Sequence, residues 1–118
     1  MTLTFENREI SASVLNSLTM DLVRRDEPDL SLRQLTVLSQ LVTSEAPLTV
    51  RGLAAEMSVS KPAITRAMDR LAELGFAKRD VDRKDRRSVL LTPTQLGREF
   101  IANVRQSIGT TLHAAGIA

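Results

Sequence analysis

Two short stretches of this 118-residue chain gather the side chains best suited to holding an anion. In the first, Ser58 and Ser60 lead into Lys61, Pro62, Ala63, Thr65, Arg66, Asp69 and Arg70, which recur with helical spacing. The second is Asp80-Val81-Asp82-Arg83-Lys84-Asp85-Arg86-Arg87, with Arg79 at its base. Arginine offers a planar fork of donors that matches a phosphate or the O6/N7 edge of guanine. A serine hydroxyl and the free amides of a helix start can hold a phosphate, while Thr65 and Ala63 can pack on a thymine methyl. The chemistry implied is recognition of a polyanion. Charge is distributed accordingly: residues 1–50 hold four Lys/Arg against seven Asp/Glu, and residues 51–87 hold ten against six. A basic middle on a chain of net charge +2 suits contact through one face.

Other chemistries find little support. With no cysteine there is no disulfide framework, thiolate sensor or Cys-ligated zinc. The single histidine, His113, has no Cys or metal-ligand cluster near it, and Gly52, Gly75, Gly97, Gly109 and Gly116 are too isolated for a phosphate loop. Asp80, Asp82 and Asp85 loosely resemble a calcium loop, but the intervening bases and the missing Gly and terminal Glu argue against one. No enzyme activity, metal or cofactor is expected. No apolar run approaches the roughly 20 residues of a membrane span. The mixed, acidic start Met1–Glu9 is unlike a secretory signal, so a cytoplasmic location is expected. Three aromatics, Phe5, Phe76 and Phe100, do not suggest an aromatic-lined pocket.

The elements that must position the basic stretches follow from periodicity and punctuation. After an arm over residues 1–9, Val14, Leu15, Leu18, Leu22 and Val23 predict a helix over 10–25. Ser31 caps a second over 32–44, whose buried stripe is Leu32, Leu35, Leu38, Leu41 and Val42. Thr49 caps a third over 50–57, burying Leu53, Ala54 and Met57. Ser60 caps a fourth over 61–74, with Pro62 in the first turn and Ile64, Ala67, Met68, Leu71 and Leu74 as its stripe. Gly75 supplies the left-handed position that ends it. Residues 76–79 and 88–91 read as strands flanking the charged loop. Thr94 caps a last helix over 95–113, with Leu96, Phe100, Ile101, Val104, Ile108 and Leu112 apolar.

The fold class is therefore mainly α with a small β-hairpin, in the order α-α-α-α-β-β-α. Residues 50–74 form a helix-turn-helix, whose second helix must bury one stripe and offer its other face to base edges. The hairpin that follows is placed to reach a neighbouring minor groove, where a narrow A/T-rich stretch attracts arginine. Asp85 would orient an arginine, most simply Arg87. The bland reading of both segments is a solvated helix face and a solvated loop.

Several ordered motifs over residues 28–100 resemble the MarR family of bacterial regulators. Asp85-Arg86-Arg87-Ser88-Val89-Leu90-Leu91 followed by Thr94-Gln95-Leu96-Gly97 is similar to that family's wing. Leu48–Ala54 and Ser58–Leu71 resemble its helix-turn-helix, Leu74-Gly75-Phe76 its passage into the wing, and Leu30–Leu38 the preceding helix. The resemblance implies a dimeric winged helix-turn-helix regulator on a pseudo-palindromic operator, often a repressor and often released by a small molecule. Ser58, Ser60, Lys61, Pro62, Ala63, Thr65, Arg66 and Arg70 would then serve the major groove. Arg83, Lys84, Asp85, Arg86 and Arg87 would form the wing, with Arg87 in the minor groove.

In the commoner pattern Leu-Thr directly precedes the last helix. Here either Pro93-Thr94 takes that place, or Leu91-Thr92 does and the approach is two residues longer. Family members also usually continue beyond the point where this chain stops, which implies a smaller or differently built dimer interface. A single domain over 1–118 is expected: arm and helix 1–30, winged core 31–92 and C-terminal helix 93–118. The outer two segments either form a homodimer or complete one monomeric core. The expected partners are double-stranded DNA, a second copy and an effector of unspecified chemistry. The competing reading is a winged-helix module that binds another regulator.

Overall fold

The computed structural model describes residues 5–117, with seven elements in the expected order. They are α1 (Phe5–Arg24), α2 (Leu32–Thr43), α3 (Val50–Met57), α4 (Lys61–Glu73), β1 (Ala77–Val81), β2 (Val89–Pro93) and α5 (Gln95–Ala114). Of the arm expected over 1–9, residues 1–4 lie outside the described residues. Residues 5–9 are already helical, and that segment holds no Gly or Pro to delay the start. No helix among the described residues is long and apolar enough to cross a membrane.

The chain divides into two compact units, one spanning Leu30–Ile101 and the other formed by residues up to Asp29 with those from Ala102 onward. The first seven residues of α5 thus fall in the Leu30–Ile101 unit.

In the Leu30–Ile101 unit, local capping decides where helices begin. The Ser31 hydroxyl accepts the Gln34 N–H at 3.1 Å, and the Gln34 side chain accepts the Ser31 N–H at 2.9 Å, a reciprocal capping box. Thr49 Oγ1 accepts the Gly52 N–H at 3.0 Å, and Ser60 Oγ accepts the Ala63 N–H at 3.2 Å. Thr94 does two things at once: its hydroxyl accepts the Gly97 N–H at 3.1 Å and donates to the Gly75 carbonyl at 2.6 Å. Pro93-Thr94 is therefore the junction into α5, with no added residues.

The core of this unit is Val37, Leu38 and Leu41 of α2, Leu53 and Ala54 of α3, Ile64, Ala67, Met68 and Leu71 of α4, Leu91 of β2, and Phe76, Phe100 and Ile101. Each large side chain removed from water contributes about 1.5–3 kcal/mol. The rings of Phe76 and Phe100 lie 4.8 Å apart, tilted by 36°. Of the expected core positions, Leu35, Val42, Met57 and Leu74 are only half-buried, and two are exposed: Leu32 at 81% and Leu96. Both stand in the first turn of their helix, and the stripe of α2 becomes buried only from Val37.

β1 and β2 pair antiparallel, with Ala77 opposite Pro93, Arg79 opposite Leu91 and Val81 opposite Val89. Leu48 adds a single bridge to Leu91, through N–H to carbonyl bonds of 3.1 and 2.7 Å. The sequence reading treats Leu48 only as a break between helices; its pairing fastens the start of the helix-turn-helix to the hairpin.

The other unit, built from α1 and the later part of α5, is different in kind. Its buried side chains among those described are Ser107 and Thr111. Arg25 donates to the Ser107 hydroxyl and lies 3.5 Å from Asp21, and Asn103 donates to Glu27 at 2.9 Å. The Ser107 hydroxyl, then the positive charges of Arg25 and Arg24, hold the Asp21 carboxyl below its ordinary value. Of the predicted stripes, Val14, Leu18, Leu22, Val104 and Leu112 are half-buried, while Leu15, Val23 and Ile108 are exposed. Polar pairing replaces them at the centre of this unit.

Candidate nucleic-acid interface

The turn between α3 and α4 is set by Ser58, which adopts a left-handed conformation at φ 55°. Its N–H closes α3 onto the Ala54 and Ala55 carbonyls, and two residues later Ser60 caps α4. A left-handed residue reverses the chain in very few residues, so two helices can cross tightly. α4 then divides its residues cleanly. Ile64, Ala67, Met68 and Leu71 face the core, while Lys61, Pro62, Thr65, Arg66 and Asp69 are exposed.

Ala63 is the correction on this helix. Expected on the outward face, it is only 6% exposed. Its place is one residue before Ile64 and four before Ala67, on the flank of the buried stripe, so its methyl is packed inside the unit. Arg70 is half-buried and lies 3.5 Å from Glu73, four residues beyond Arg66. Lys61 and Arg66 take part in none of the ion pairs among the described residues. The exposed leading edge of α4 is therefore Ser60, Lys61, Pro62, Thr65 and Arg66.

The hairpin tip is organised by its carboxylates. Asp82 accepts the Lys84 N–H at 2.9 Å, and the Asp82 N–H donates to the Ser88 carbonyl at 3.0 Å. Asp85 holds Arg87 twice, accepting its backbone N–H at 3.1 Å and lying 3.5 Å from its Nε. The other Asp85 oxygen accepts the Ser88 hydroxyl at 3.2 Å. Held this way, the Arg87 side chain is still 94% exposed. Asp80 pairs separately with Lys78 at 3.8 Å, so the three carboxylates of the loop are engaged apart rather than converging on one point. Arg83, Lys84 and Arg86 are exposed around Arg87.

One contact joins these two basic surfaces. Arg79 Nη2 lies 2.7 Å from Asp69 Oδ1 and donates to the Thr65 carbonyl at 3.3 Å, linking β1 to α4. The sequence reading counted Arg79 with the basic tip and did not foresee its partners, which stand 10 and 14 residues away.

The geometry is that of a winged helix-turn-helix with a basic edge and a basic wing, and the comparisons agree. The model of the MarR family matches residues 29–88. A helix-turn-helix-type transcriptional regulator of Mycobacterium leprae is 30% identical over 99 residues, covering 84% of this chain and 68% of the relative. Apo wild-type MarR of Escherichia coli superposes with a TM-score of 0.69 at 25% identity, over 96% of this chain and 82% of that one. CouR of Rhodococcus jostii, solved with p-coumaroyl-CoA, gives 0.67 at 26% identity, over 89% and 71%. Staphylococcus aureus MepR bound to ethidium bromide shares the fold with a TM-score of 0.77 at 18% identity, over 97% and 80%. The Mycobacterium leprae relative is a transcriptional regulator, and MepR is a transcription regulator of a multidrug efflux pump. The chain belongs to the MarR family, as a DNA-binding transcription regulator.

Proposed function

We propose that this protein acts in the cytoplasm as a dimeric repressor on a pseudo-palindromic operator. Ser58, Ser60, Lys61, Pro62, Thr65, Arg66 and Arg70 of the helix-turn-helix serve the major groove. Arg83, Lys84, Arg86 and Arg87 serve the minor groove. The observation that carries this reading is Arg87: exposed to solvent, yet aimed by two contacts to Asp85. A cation fixed in place loses less entropy on entering a narrow groove than a free one. Exposed Ile10, Leu15, Met20 and Val23 on α1, with Ile108 and Ile117 near the chain end, support a second copy as the cover for that unit. A small-molecule effector belongs to the same proposal, in keeping with the ligands bound to MepR and CouR.

Selection of duplexes from a random pool tests this. The expected product is a dyad-symmetric site whose halves lie about one helical turn, roughly 34 Å, apart. Arg66→Ala should relax base preference at one position per half-site, at a cost of about 1–3 kcal/mol. Arg87→Ala should weaken binding chiefly where the flanks are A/T-rich. A pool from which no duplex is enriched over random DNA contradicts the reading.

A further inference from the structure

We propose that Arg79, basic and adjacent to the wing though it is, is a positioning residue rather than a nucleic-acid ligand: with Asp69 and the Thr65 carbonyl it fixes the hairpin against α4. The proposal rests on the DNA-binding reading and adds to it a division of labour among the cations.

Strand alternation places Ala77, Arg79 and Val81 on one face of the hairpin, with Pro93, Leu91 and Val89 opposite them. Ala77 and Leu91 are buried, so this is the face packed on the helices; Lys78 and Asp80 pair with each other on the other face. Arg79 therefore starts from the inner face, and its side chain is two-thirds covered. Its guanidinium reaches Thr65 and Asp69, which are four residues apart and so share one edge of α4. A carbonyl has a second lone pair, so the Thr65 oxygen accepts this bond without giving up the helical one.

Charge supports the same assignment. Asp69 is exposed on the helix that carries Lys61 and Arg66. Left unpaired, it would repel phosphate; held at 2.7 Å by Arg79, it is neutralised where a polyanion would approach. Position completes the argument. β1 follows α4 through only Leu74, Gly75 and Phe76, and Arg87 lies ~10 Å farther along the hairpin than Arg79. A small change in pitch at the brace is magnified at the tip.

The test is a double-mutant cycle on the full chain and an enriched duplex, using Arg79→Ala, Asp69→Asn and the pair, with Arg87→Ala for contrast. A brace predicts that Arg79→Ala weakens binding about threefold to fivefold, the range of a well-formed exposed ion pair. The salt dependence should stay as in the wild type, whereas Arg87→Ala should lower the slope by about one. Asp69→Asn should weaken binding when Arg79 is present and not when it is alanine. A slope lowered by about one in Arg79→Ala overturns the proposal, as does tighter binding by Asp69→Asn, because either marks Arg79 as a phosphate ligand.

Amide exchange on the free protein gives a second readout. Residues 77–81 and 89–92 should exchange faster in both single variants, and unchanged exchange rejects the brace. If the wild type prefers no duplex, the DNA-binding reading has failed, and the exchange result alone decides the role of Arg79.

Discussion

In the Leu30–Ile101 unit, helices begin at Ser31, Thr49, Ser60 and Thr94 with a side chain satisfying free amides, and large apolar side chains fill the centre. In the unit of α1 and the later part of α5, the centre holds Ser107 and Thr111 while Leu15 and Val23 stand 62% and 69% exposed. The first region buries a large apolar core and leaves Leu32, Val81, Val89 and Leu96 exposed. The second buries no large apolar side chain among those described and leaves Ile10, Leu15, Met20, Val23, Ile108 and Ile117 exposed, a surface that would suit the proposed second copy. The proposed function therefore asks different things of the two: the unit proposed to read the groove is packed around its own apolar core, and the other is the one proposed to be covered by a second copy.

The two internal glycines of α5 separate the regions most sharply. A Cβ at Gly97 would lie 2.1 Å from the Phe76 carbonyl oxygen and 3.1 Å from Leu38, so Gly97→Ala must push α5 away from the hairpin. A loss of about 3 kcal/mol or more in urea unfolding is expected. At Gly109 nothing lies within 4 Å, and Gly109→Ala in the same helix should raise stability by about 0.5–1 kcal/mol through helix propensity. Equal effects at the two sites would dissolve the comparison.

Apolar truncation sharpens it next. Met68 is fully buried, so Met68→Ala should cost about 2–5 kcal/mol of folding stability. Val23→Ala should change the unfolding midpoint of the isolated chain by no more than about 0.5 kcal/mol. Its effect should appear in the concentration dependence of sedimentation, where self-association weakens. A large folding defect in Val23→Ala would show that α1 is already fully packed.

The smallest effect concerns acid. The Asp21 carboxyl is held below its ordinary value of 3.8, so the folded chain binds that proton less readily than the unfolded one. Its contribution is present above pH 3.8 and fades as the pH falls through the lowered value. Asp21→Asn should flatten that part of the acid-unfolding curve and leave the neutral-pH fold nearly unchanged. An acid limb identical in variant and wild type contradicts the assignment.

What could be read from sequence was local. Ser31, Thr49, Ser60, Gly75 and Thr94 act on amides or carbonyls a few residues away, so their types alone place the helix ends. The Asp85 contact to Arg87 is equally short and was anticipated. What escaped depends on distant chain. The Leu48 bridge to β2 spans 43 residues, and a lone paired residue carries no periodic signal. The Arg79 brace needs the hairpin pitch before its partners are known. Ala63 is small enough to belong to either face, and only the position of the neighbouring helices assigns it to the core.

The most direct measurement is the affinity of the wild-type chain for an enriched duplex across a salt series. Each phosphate neutralised should contribute about −0.9 to the slope of log affinity against log salt. With the α4 edge and the wing both engaged, a slope of about −3 or steeper is expected. An affinity that stays flat as salt is lowered would contradict contact with the phosphate backbone, and with it the DNA-binding assignment of α4 and the wing.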